Sequence, residues 1–101
     1  MAGRAKEKLE RYYIGGKQYI PKKSTLLCVA DGNDMFSKAA WNSEKLYRTG
    51  KGTFFIVREG ADNEEKVGLL DEEKAFEFMD RNTAGIITEN YDVVFGVPEE
   101  G

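Results

Sequence analysis

The chain has 101 residues, 41% hydrophobic and 12% aromatic, with a formal net charge of −3, one cysteine and no histidine. This size and composition suit one folded core and exclude intrinsic disorder. The missing histidine and solitary cysteine remove the commonest general base, the usual zinc sites and any internal disulfide.

The longest apolar run, 26–30, is far shorter than the roughly 18 to 20 residues of a membrane span. The charged opening segment also lacks the apolar stretch of a signal peptide, so the expected compartment is the cytoplasm, with no membrane partner. Charge is uneven along the chain. Residues 1–23 hold Arg4, Lys6, Lys8, Arg11, Lys17, Lys22 and Lys23 against Glu7 and Glu10, net +5. Residues 24–101 hold eight basic and sixteen acidic side chains, net −8.

Residues 1–10 carry only Leu9 as a large apolar group and read as a basic, frayed arm. Residues 12–14 and 18–20 read as two short strands around Gly15-Gly16, because paired glycines supply the positive φ of a tight hairpin. Pro21 ends the second strand. The apolar run 25–30 suits a strand covered on both faces, hence a central one, and places Cys28 in the core as an inert thiol. Asp31-Gly32-Asn33-Asp34 breaks the run, and a short helix over 34–41 follows.

Segments 44–49 and 53–58 around Gly50-Lys51-Gly52 form a second hairpin. In its second strand Phe55 and Val57 face one way and Phe54 and Ile56 the other, so both sheet faces require cover. A short strand at 66–70 leads to the main helix, 72–81, capped by Asp71. Glu72 and Glu73 suit its positive end, and Ala75, Phe76, Phe78 and Met79 form its apolar side. Ile86-Ile87-Thr88 and 91–97 read as further strand, and 98–101 as a polar tail. The expected fold class is α+β: a mostly antiparallel sheet with the main helix on one face, residues 11–97 forming a single domain.

Searching for chemistry mostly excludes it. A calcium loop starting at Asp31 would need glycine and glutamate where Phe36 and Asn42 stand. Gly50-Lys51-Gly52-Thr53 lacks the Lys-Thr step and the upstream glycine of a phosphate-binding loop. Glu72, Glu73 and Glu77 have a sufficient structural role at the start and on the polar side of a helix. No catalytic residue, metal or cofactor is expected. Two interaction surfaces remain. Tyr12, Tyr13 and Tyr19, interleaved with Arg11, Lys17, Lys22 and Lys23, match the stacking and phosphate-holding pattern of a nucleic-acid surface. Trp41, Tyr47 and Arg48 belong to the residue types enriched at protein interfaces.

The run Trp41-x-x-Glu44-x-Leu46-Tyr47-Arg48-Thr49-x-Lys51-Gly52-x-Phe54-Phe55, followed by Asp71-Glu72-Glu73-Lys74-Ala75, resembles small proteins of bacteria and of their phages and plasmids. The resemblance covers 41–79 and implies a hairpin and a helix, with no reacting group. It implies a mobile-element setting, in which small acidic proteins, anti-CRISPR proteins among them, bind and inhibit host defence enzymes. The expected function is therefore non-enzymatic binding of a macromolecule, a protein first. The alternative is nucleic-acid binding through the basic N-terminal region. An exposed edge over 12–20 also suits pairing with a second copy of the chain.

Overall fold

The computed structural model of the protein describes residues 11–31, 41–60 and 65–98, with backbone alone at 31, 41 and 42. The fold is α+β, as the residue pattern indicates. A four-stranded antiparallel sheet runs β3 (Thr25–Asp31), β4 (Trp41–Arg48), β5 (Phe54–Gly60), β6 (Glu65–Leu70) in spatial order, and a separate hairpin pairs β1 (Tyr12–Ile14) with β2 (Lys17–Tyr19). Two helices follow, α1 (Glu72–Arg81) and α2 (Thr88–Phe95), joined through a 3-10 turn at Thr83–Gly85. Sequential neighbours pair throughout, which keeps every sheet connection local.

β5 is the centre of the molecule because its alternating side chains are buried on both sides. Phe54 and Ile56 join Leu27, Cys28, Leu46, Ala75, Phe78 and Met79 in a core beneath the helices. Phe55 and Val57 join Tyr19 in a second core, with Tyr12, Ile14 and Tyr47 packed against it. The hairpin β1–β2 therefore lies over one face of the sheet and the helices over the other. Gly15 and Gly16, with φ of 59° and 82°, make the tight turn that folds the hairpin back. Tyr19 and Tyr47 both contact Phe55, at ring-centroid distances of 5.5 and 5.1 Å.

α1 forms where the apolar spacing places it, and Asp71 accepts from the Lys74 amide at 2.8 Å as its N-cap. The C-terminal segment departs from its expectation. Residues 88–95 are helix, although Val93 and Val94 favour strand, because a helix places Tyr91, Val94 and Phe95 on one stripe at spacings of three and four. Phe95 then meets Phe54, Phe76 and Tyr91 at 6.3, 5.1 and 4.8 Å. Val93, 83% exposed, is left on the outside, and Gly96 ends the helix with φ 84°. Of the residues expected as strand here, only Ile86 pairs, as an isolated bridge with Cys28.

β3 departs from its expectation as well. Its apolar run reads as a central strand, yet it lies at the sheet edge. A bulge between Leu26 and Cys28 lets adjacent Leu27 and Cys28 share the helix-side core, which an unbroken strand would not allow. The edge is covered by the C-terminal segment: the Ile87 amide donates to the Leu27 carbonyl at 2.9 Å, and the Asn90 side-chain amide to the Leu26 carbonyl at 2.8 Å. The helix expected over 34–41 falls outside the described residues except for Trp41, which opens β4 opposite Gly60.

Candidate functional site

The sheet separates charge as well as apolar cores. On the hairpin side, residues 11–24 carry Arg11, Lys17, Lys22 and Lys23 and no acidic group, net +4. On the helical side, residues 71–98 carry seven acidic residues against Lys74 and Arg81, net −5. The polarity along the chain has become a polarity across the sheet.

The helical layer holds a groove of about 480 Å³ between α1, the 83–85 turn and α2. Phe76, Met79, Ile86 and Tyr91 supply apolar lining, and Asp80 and Asp92 supply carboxylates. Asp80 is exposed and Asp92 half-buried, and Val97, 80% exposed, borders the same groove. The groove thus has an apolar floor edged by charges of one sign.

The carboxylates singled out in the sequence take simple places. Glu72, Glu73 and Glu77 are all exposed on α1, and Lys74 pairs loosely with Glu77 at 3.9 Å. Glu72 also borders a cavity of about 400 Å³ beside Arg48, Phe54, Asp71 and Phe95. Tyr47 and Arg48 do not form one hot spot, because they project to opposite faces of β4. Tyr47 is half-buried on Phe55 under the hairpin, while Arg48 faces the helices. Tyr12 and Tyr19 likewise pack into the hairpin core, Tyr19 almost fully buried, so Tyr13 alone of the three tyrosines offers an exposed ring. Arg11, Lys17, Lys22 and Lys23 are exposed, as is Tyr13 at 68%. Arg4, Lys6, Lys8 and the Trp41 side chain lie outside the described residues.

Cys28 is fully buried, and its thiol donates to the Asn82 carbonyl at 3.3 Å. Burial pushes its pKa up to about 11, so the nucleophilic thiolate is disfavoured and the residue acts as core packing. Among the described residues no group of three metal-binding side chains converges, and no helix is long and apolar enough to cross a membrane.

Lys51 stands at the tip of the β4–β5 turn, exposed to solvent. The turn is internally closed: Thr49 Oγ1 accepts from the Lys51 and Thr53 amides at 3.3 and 3.1 Å, and the Gly52 amide donates to the Thr49 carbonyl at 3.0 Å. These amides are therefore engaged within the loop and do not cradle a phosphate. Compared with known proteins, the chain matches no family model, no curated protein and no solved structure.

Proposed function

We propose that this chain is a non-enzymatic binding protein whose helical face occupies a basic surface on a partner protein. The observation that carries the reading is the groove between α1 and α2, which joins an apolar lining of Phe76, Met79, Ile86 and Tyr91 to the carboxylates of Asp80 and Asp92. A partner suited to it presents an apolar anchor flanked by lysine or arginine. Such a surface is typical of proteins that handle nucleic acid, and the net −5 of the helical layer would compete there with a phosphate backbone. The sequence resemblance to small mobile-element proteins favours a host defence or nucleic-acid-processing protein as the target.

Affinity capture from nuclease-treated source-cell lysate tests this. A stoichiometric protein should be retained by the natural chain and lost by Asp80→Lys/Asp92→Lys. Equal retention by both chains would refute the groove as the binding surface.

A further inference from the structure

A second surface lies beyond the hairpin. A cleft of about 500 Å³ is formed where β2 and the residues after it meet the β4–β5 turn. Its lining includes Lys17, Gln18, Lys23, Thr49, Lys51 and Thr53. Lys17 and Lys23 come from the basic segment already conspicuous in the sequence, whereas Lys51 comes from a hairpin tip more than twenty residues further on. The fold thus gathers three exposed ammonium groups from two distant segments, and neither 11–24 nor 45–53 contains an acidic residue. Thr49 Oγ1 already accepts two amide bonds, which leaves its hydroxyl proton as a donor. The cleft is therefore rich in donors and suited to an anion.

We propose that this cleft binds the phosphate backbone of single-stranded nucleic acid, with Tyr13 as a stacking platform. Two observations select a strand over a small phosphate compound. The turn amides that would grip a single phosphate are engaged internally, so the remaining contacts are lysine point charges along an open cleft. Tyr13 stands directly across the hairpin ladder from Gln18, a cleft residue, and is 68% exposed. An exposed aromatic one strand away from a basic groove offers its face to unpaired bases, which a duplex conceals.

The test is fluorescence anisotropy of the full chain with a labelled oligothymidylate of about twelve nucleotides. Three lysine–phosphate contacts predict a slope of log affinity against log salt near roughly −2, or about 20-fold weaker binding at 200 than at 50 mM salt. Lys51→Ala should weaken binding and bring the slope to about −1.4. Lys17→Ala/Lys23→Ala/Lys51→Ala should lose at least about tenfold more affinity than Lys51→Ala alone. Tyr13→Ala should weaken binding about fivefold or more with the slope unchanged, the loss expected for one stacked base. Substituting Arg4, Lys6 and Lys8 by alanine should leave most of the affinity. Circular dichroism should show each variant folded, since all the substituted cleft and platform residues are exposed.

No binding at 50 mM salt, unchanged binding by the triple lysine variant, or equal affinity for a duplex of the same length would each overturn the proposal. Loss of binding on neutralising Arg4, Lys6 and Lys8 alone would overturn it too, by placing the contacts on the arm. None of these readouts depends on capture of a protein at the helical groove.

Discussion

Replacing Gly85 by alanine tests how the C-terminal layer is docked. Gly85 ends the turn between the helices, and a Cβ there would fall deep inside the van der Waals envelope of the Val29 backbone, its carbonyl oxygen and carbon together. Val29 cannot retreat readily, because it is paired with Lys45 in the β3–β4 ladder. The turn must lift instead, which strains or breaks the Ile87 amide bond to Leu27 and the bridge between Ile86 and Cys28. Overpacking costs about 1 to 3 kcal/mol and each of the two lost backbone interactions about 1, so the expected destabilisation is roughly 3 to 5 kcal/mol. For a chain of this size that is a fall in Tm of roughly 12 to 40 °C. Urea titration followed by circular dichroism measures it. Gly68→Ala is the matched control: nothing lies within 4 Å of a Cβ placed there, and β6 gains by losing a glycine, so stability should be unchanged or rise by up to about 1 kcal/mol. A Gly85→Ala protein within about 1 kcal/mol of the natural chain would refute the close approach and the docking it implies.

Other consequences follow from the same packing. Cys28 titrates in the unfolded chain near its ordinary value but only at about 11 when folded, so its contribution is intact below pH 9 and is lost as pH rises toward 11. The loss should approach roughly 2 kcal/mol in urea titrations across that window and be missing from Cys28→Ala. A thiol reagent at neutral pH should label the native protein far more slowly than the urea-unfolded one. Arg58→Met removes the 2.6 Å contact with the half-buried Glu44 carboxylate and should cost about 1 to 2 kcal/mol, of which a double-mutant cycle assigns the pairwise part. Asn90→Ala leaves the Leu26 carbonyl without that side-chain donor and should cost about 1 kcal/mol, measured by thermal unfolding.

The elements legible in the sequence are those whose local pattern and tertiary role agree. The β4–β5 hairpin is marked by its Gly-Lys-Gly turn and by alternation at Phe54 to Val57, and α1 by Asp71 and the stripe through Ala75, Phe78 and Met79. Both lie where this reading puts them. The C-terminal helix was hidden because β-branched Val93 and Val94 argue locally for strand. The decision comes from a contact far away in sequence, Phe95 against Phe54, which favours the helical stripe. β3 misled for a related reason: continuous apolar character reports that both faces are covered, and a covering chain segment satisfies it as well as a neighbouring strand does.

The surfaces were less legible than the fold. The acidic and basic halves are plain in the sequence, but the groove joins Phe76 and Met79 of α1 to Tyr91 of α2 only once the second helix exists. The basic cleft needs Lys51 brought beside Lys17 and Lys23, and nothing local to the turn signals that approach. Tyr47 and Arg48, adjacent in sequence and alike in interface preference, are separated by strand alternation to opposite faces.

The proposed binding of a basic protein surface by the helical groove is decided by comparing three tagged chains in nuclease-treated lysate: the natural one, Asp80→Lys/Asp92→Lys, and Lys17→Ala/Lys23→Ala/Lys51→Ala. One stoichiometric protein partner should be held by the first and third and released by the second. A partner held by all three, or released only by the lysine variant, would contradict it.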